Sequence, residues 1–372
     1  MIKQSFIETA EILLPAVDLQ PTLDFFSEKL GFRLLSIFPA DAPHTVLMAG
    51  HGMRLRFESR YEGPPGCLRL SCDGLQNPGI EKQETVAPNG TRLVFAEANP
   101  PLVIPELEPS LVLNLGEGGS KWHTGRAGMQ YRDLIPDRHG GRFIVSHIRI
   151  PEGGPVPDYV HHHKIHFQMI FCYKGWVKVV YEDQDSSFVM NSGDCVLQPP
   201  HIRHQVLECS DGLEVIEVSC PAEHETYTDH LLELPNSKTD PSRNFSGQRF
   251  LFFQGEQTAW EKYPPGGLFR DTGIGSATRG IAEVRVLKPD SNKSNNTRNH
   301  QGGLLFYFVL KGSMELNLEE QGSSPFNEGD SASIPPGMNY SFGKVSENTE
   351  ILEVYMPKLN SPQSRDCRHQ RK

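Results

Sequence analysis

The sequence predicts a mostly β protein in which two small antiparallel barrels of one kind follow a smaller α+β domain. Three observations carry that expectation. The 34 glycines and 29 prolines in 372 residues imply many tight turns. From Lys121 onward the chain divides into short alternating segments with no helical period between them, such as GRFIVSHIRI, FQMIFCYKG and LEVIEVSCP. The same region also repeats itself. Trp122 with Tyr131-Arg132-Asp133 recurs as Trp260 with Phe269-Arg270-Asp271, and Gly193-Asp194 and Pro199-Pro200 recur as Gly329-Asp330 and Pro335-Pro336.

Length and charge bound the rest. A chain of 372 residues holds two or three domains. A net charge of -10 argues against nucleic-acid or anionic-membrane partners, which want a basic face. MIKQSFIETAEILLPAVD has no apolar run of signal-peptide length, and no stretch is long enough to span a membrane. The seven cysteines lack framework spacing and several sit in apolar runs, which suits reduced thiols of a cytoplasmic protein.

In chain order, residues 1–100 read as one domain. Ile12 to Val17 suits a first strand, and Asp18 or Thr22 can cap a helix, TLDFFSEKLGF, that ends at Gly31. Three strands follow around Leu34–Phe38, His44–Met48 and Met53–Glu58. This βαβββ order, with VDLQPTLDFFSEKLGF and the GHGMRLRFE hairpin, resembles one module of the glyoxalase/bleomycin-resistance (vicinal oxygen chelate) family. APNGTRLVFAE resembles the closing strand of a second, abbreviated module. Where that family carries a metal ligand this chain has Glu11, with Glu58 in the last strand and no histidine beside them, so a packing or dimerisation role is expected. Residues 101–120, rich in Pro and then Gly, read as a linker. The two repeats occupy 121–235 and 236–357, with the polar stretch NSKTDPSRNFSGQ joining them. Residues 358–372 lack periodicity and read as a disordered tail.

The stretch from Gly154 to Glu208 holds the chemistry. Four histidines fall in His161 to His166, and His201 and His204 lie about forty residues on. In an extended strand residues i and i+2 share a face, so His161 and His163 enter the barrel while His162 points away. Gln168 and His204, on other strands, can close a site with them. Three imidazoles and one oxygen suit a divalent transition metal with open positions. A histidine-rich surface loop is the competing reading. Copy two has Arg298, His300, Leu305 and Tyr340 at the corresponding places, a set that cannot hold a metal. Its barrel is expected to be metal-free, with a structural role or a small-ligand pocket at Arg298, His300 and Tyr340.

These motifs identify both copies as resembling the cupin family, whose first motif is Gly, His-x-His, three or four residues, Glu, six residues, Gly. Its second is Gly, five residues, Pro-x-Gly, two residues, His. Copy one matches with Gly154, His161, His163, Gly175, Gly193, Pro199 and His204. It departs at Gln168, where the family has Glu, and at His201, which replaces the turn Gly. The resemblance implies jelly-roll barrels (a double-stranded β-helix) and one divalent transition metal per chain, Fe(II) ahead of Zn, Mn or Ni. A neutral Gln168 leaves the site charge at +2, which favours anionic ligands and acidifies bound water. Glu208, on the His204 face by simple alternation, is a candidate base. Tyr159, His166, His201 and Arg203 are candidate substrate contacts.

The function implied is a non-haem iron dioxygenase acting on a small anionic or phenolic molecule. The alternatives are a Zn-, Mn- or Ni-dependent lyase, hydrolase or isomerase, or a non-catalytic metal- or metabolite-binding protein. Two linked barrels can pack as a pseudo-dimer, so a monomer or a homodimer is expected.

Overall fold

The computed structural model describes residues 7–75, 84–116, 121–263, 266–290 and 296–358. The chain separates into two compact units, Met1–Pro101 and Leu102–Lys372.

In the first unit, strand Ile12–Pro15 leads into a helical segment, Leu19–Asp24 and Phe25–Lys29, and then into strands Arg33–Phe38, Thr45–Gly50 and Met53–Glu58. The first strand pairs parallel with Met53–Glu58, so the βαβββ order closes as one four-stranded sheet. Gly31, at φ 73°, supplies the left-handed residue that ends the helix where the sequence places its end. Phe26, Phe32 and Phe57 are buried beneath it, with Phe26 4.9 Å from Phe57 and 5.6 Å from Phe32 between ring centres. Glu11 forms a surface ion pair with Arg56 at 2.7 Å. Strands Cys67–Cys72, Glu84–Val86 and Arg92–Glu97 make a separate three-stranded sheet.

In the second unit each repeat builds two facing sheets. Copy one stacks Phe167–Lys174, Leu213–Cys220, Ile144–Ile150 and Gln130–Asp133 into one sheet. Trp176–Tyr181, His204–Cys209, His161–Lys164 and Glu225–Thr228 form the other. Alternation along Leu213–Cys220 sorts its side chains. Val215 faces the barrel interior, while Ile216 and Val218 join a core that continues through Phe306, Phe308 and Val354 of copy two. The two barrels therefore share one hydrophobic seam.

The repeat is visible in the turns. Gly175 and Gly312 adopt φ 75° and 73°, and Gly193 and Gly329 adopt 97° and 88°. A Cβ at Gly175 would lie 2.2 Å from Ser210 Oγ, so the position requires glycine on two counts. Asp194 and Asp330 each accept from the backbone N–H three residues earlier, Asn191 at 2.8 Å and Asn327 at 2.7 Å.

Two linkers depart from expectation. Val112–Asn114, inside the expected linker 101–120, pairs with Ser331–Ser333 of copy two. Leu251–Phe253, at the head of copy two, pairs with Cys195–Leu197 of copy one. The stretch before copy one thus lends a strand to copy two, and copy two lends one to copy one. The same two aspartates fasten the exchange: Gly255 N donates to Asp194 and Gly116 N to Asp330. The stretch NSKTDPSRNFSGQ is also held in place. Arg243 pairs with Glu182 and Asp183, and Asn236 bonds Asp183. Of the expected tail, residues 359–372 lie outside the described residues. Among the described residues, no helix is long and apolar enough to cross a membrane.

Candidate metal centre

His161 pairs in register with His204 across antiparallel strands, and His163 follows two residues on, facing the same way. The three rings converge: His161 lies 4.2 Å from His204 and 5.2 Å from His163, and His163 lies 5.3 Å from His204, between centroids. One nitrogen from each falls within 4.8 Å of the other two. Tyr181 stacks on His204 and fixes its plane.

The outer nitrogen of every ring is engaged. Nδ1 of His161 bonds the Tyr159 carbonyl at 2.8 Å, and that of His204 the Ile202 carbonyl at 3.1 Å. Nδ1 of His163 meets the Thr226 hydroxyl at 2.9 Å. A carbonyl can only accept, so His161 and His204 carry their proton on Nδ1 and keep the Nε2 lone pair for the centre. Burial holds all three imidazoles neutral. His161 is lowered, His204 is well below its ordinary value, and His163 is lowered to about 2, with neighbouring histidines and Arg126 adding to the effect. Three neutral imidazoles sharing a focus are what a divalent transition ion needs.

Gln168 supplies a further observation. Its side chain is buried in the same cavity, its Oε1 has no hydrogen-bond partner, and its amide helps to pull the Glu217 carboxyl down. An orphaned buried oxygen beside three imidazoles fits a fourth ligand or a substrate contact.

These residues line a cavity of about 520 Å³, within the range of small-molecule sites. Most of its wall is apolar, including Met129, Ile148, Val179, Met190 and Val215. Glu217, part-buried, faces it from strand Leu213–Cys220. Burial raises its carboxyl, against the opposing pull of His224 and of its bonds to Ser219 and Gln168. His224 packs against His163 at 5.2 Å between ring centres, and Arg126 reaches His161.

The remaining expected residues divide. Tyr159 lines the cavity mouth beside His161. Glu208 does not reach the cavity: it is exposed and pairs with Lys178. The ladder steps from Lys178–Glu208 to Val179–Val206, leaving Leu207 as an extra residue. That bulge inverts the alternation counted from His204, so Cys209 turns inward and Glu208 outward. Arg203 is tied to Glu182 and Asp229. His201 is exposed at φ 64°, with its ring against His162. Neither these two nor His166, a half-buried residue, lines the cavity.

In copy two, both ring nitrogens of His300 are engaged by backbone, Ile334 O and Gly302 N, so it is no ligand donor. Tyr340 bonds Tyr307, which donates to the buried Glu353. Arg298 lies over the Phe342 ring. No group of three or more metal-binding side chains other than His161, His163 and His204 occurs among the described residues.

Glu217, His224 and Arg126 escaped the sequence reading. Glu217 had a signal: it sits two residues from Val215 in a strand whose alternate residues feed the shared seam, so it had to face the cavity. Its recurrence as Glu353 pointed instead to turn geometry.

No family model matches the chain, and no curated protein matches it. Among solved structures it resembles protein Ylba from E. coli, with a TM-score of 0.50 and 10% identity over 70% of this chain and 95% of that one. It also resembles oxalate decarboxylase from Bacillus subtilis, with a TM-score of 0.46 and 13% identity over 68% and 77% of the two chains. For the Lactobacillus farciminis oxalate decarboxylase formate complex the TM-score is 0.48 and the identity 14%, over 67% and 87%. At such identities the likeness to Ylba bears on fold alone, and that fold is the paired cupin-type jelly roll.

Proposed function

We propose that the first barrel is the catalytic unit of a metal-dependent cupin enzyme that moves protons on a small, largely apolar carbonyl or carboxylate compound. The reaction class is a lyase, isomerase or hydrolase. His161, His163 and His204 would hold the ion, with Gln168 Oε1 turned toward the same space. A divalent ion there would polarise a substrate oxygen and acidify a bound water.

Glu217 carries this reading. It is a carboxyl raised by burial, facing the cavity and bonded by the Ser219 hydroxyl at 3.2 Å. A carboxyl raised by burial keeps its proton more readily than a free one and can pass it to a bound substrate, as general acid–base chemistry requires. Proton-transfer chemistry needs such a residue. The apolar walls exclude bulk water and strengthen charge interactions inside. Copy two acts as a scaffold, with Arg298 and Tyr340 standing where copy one has His161 and His204. For the first unit, kinship with the glyoxalase/bleomycin-resistance family is proposed on its βαβββ topology, and the Glu11–Arg56 ion pair supports a structural role there.

The test combines untagged protein, elemental analysis and a panel of small keto and hydroxy acids assayed under air and under argon. The expected result is one transition ion per chain, lost in His161→Ala, with turnover unaffected by argon. Glu217→Gln should retain the ion and lose turnover. Turnover that stops under argon would restore the dioxygenase, and no turnover on any compound would favour a binding protein.

A further inference from the structure

Arg126 makes a contact that a simple three-histidine site does not explain. Its Nη1 donates to Asp158 Oδ1 at 2.5 Å, and its Nη2 donates to His161 Nε2 at 3.1 Å. His161 has committed its Nδ1 proton to the Tyr159 carbonyl at 2.8 Å. Nε2 is therefore the lone pair that the centre would use, and one lone pair cannot serve a guanidinium and an ion together.

The two ends of the guanidinium are held differently. Asp158 has no exposed side-chain surface and also accepts from Val206 N at 3.0 Å, so it is a fixed anchor. The His161 end faces the cavity, where Arg126 is the one arginine of an otherwise largely apolar lining. About a third of its side chain is exposed. A guanidinium is built to take two oxygens of a carboxylate on one edge.

We infer that Arg126 is an exchangeable cation. Without ligand it occupies the Nε2 lone pair of His161, and a carboxylate entering the cavity draws it away and frees that nitrogen. Ion and carboxylate then bind cooperatively, each raising the affinity for the other by the same factor. This deepens the metal-centre reading, on which it rests, and assigns carboxylates as the ligand class.

The test is Zn(II) affinity of the untagged full chain, by competition with a chromophoric chelator, with and without benzoate. Wild-type protein should bind Zn(II) about 10-fold more tightly when benzoate is saturating, a coupling of ordinary size. The double variant Arg126→Met/Asp158→Asn removes the donor without stranding a buried carboxylate. It should bind Zn(II) more tightly than wild type in the absence of benzoate and ignore benzoate when it is added. Wild-type binding that His161→Ala abolishes, but that neither benzoate nor the double variant changes, would overturn the exchange while leaving the metal centre standing. Absence of any Zn(II) binding that depends on His161 would remove both. If the double variant does not fold, Arg126→Met alone carries the test: benzoate that acts through Arg126 loses its effect there, and a benzoate effect that persists, as direct coordination to the ion would give, overturns the exchange.

Discussion

Acid should destabilise the metal-free protein through its histidine triad, by an amount that the burial of those rings allows to be worked out. His163 is lowered to about 2 and His204 lies well below its ordinary value, because burial disfavours their charged forms. In the unfolded chain each titrates near 6.5. Between pH 6.5 and the folded values the unfolded chain binds the proton and the folded chain does not. Stability is then fully present above about 6.5 and falls as the pH drops. From pH 7.5 to 5.5 each such imidazole costs about 1.4 kcal/mol, so His163 and His204 together cost about 3 kcal/mol. His161 is lowered as well and adds to this. That is a large fraction of a stability of roughly 5–15 kcal/mol. The assay is urea unfolding of chelator-treated protein at the two pH values, followed by a probe confined to the second unit, for wild type and His204→Phe. Phenylalanine keeps the stack on Tyr181 and removes one titrating group. The variant should lose about 1.4 kcal/mol less than wild type over this interval. Equal losses would mean that His204 is not held neutral by burial, and the basis for a preformed three-imidazole site would fail.

Other outcomes follow from single positions. His201→Gly should leave stability unchanged or raise it by up to about 1 kcal/mol, because φ 64° suits glycine better than histidine; thermal unfolding reads the shift. Gly175→Ala should destabilise the second unit by more than about 1 kcal/mol, because strain at φ 75° adds to the clash with Ser210, again read by urea midpoint. Asp194→Ala removes the acceptor for both Asn191 N and Gly255 N and should cost about 1–3 kcal/mol. Faster hydrogen exchange at Leu251–Phe253 would identify the exchanged strand as the part that loosens. Tyr307→Phe should cost about 1–3 kcal/mol by leaving buried Glu353 without that donor, with no change in metal content.

The legible parts of this molecule were those set by local rules. The i, i+2 spacing of His161 and His163 places both on one face of a strand whatever the fold, and the glycine pairs at 175/312 and 193/329 mark turns that only glycine makes cheaply. Glu208 failed because a bulge is a property of two strands, and nothing in HQVLEC announces that Leu207 will go unpaired. The linkers failed for a related reason. Val112–Asn114 looks like loop until the edge of Ser331–Ser333 is there to receive it, and that edge lies more than two hundred residues away. Arg126 sits in a three-residue turn, Arg126–Gly128, with no periodicity to mark it. Only the folded barrel brings it to His161.

The two barrels surround the same glutamate differently. A residue kept in both copies invites a structural explanation, and Glu353 meets it. It accepts from Tyr307 at 2.9 Å, and Arg285 and Arg298 pull its carboxyl down against the burial that raises it. Copy two thus compensates its buried glutamate with phenols and guanidinium groups while replacing three of the four expected ligands: Arg298 stands for His161, Leu305 for Gln168 and Tyr340 for His204, and the retained His300 has both ring nitrogens on backbone. Copy one keeps the same glutamate but surrounds it with Gln168, a serine hydroxyl and His224, with Arg126 the weakest of the groups that pull its carboxyl down. That leaves it facing open cavity without a cation locked onto it. The retained residue is therefore the fold's buried carboxyl in both copies, and its chemistry is set by what each barrel places around it. Replacing Gln168 by Leu, as copy two has it, should unsettle Glu217 and impair turnover while the three imidazoles still bind an ion. Turnover equal to wild type in that variant would separate Gln168 from the acid–base role argued for its neighbour.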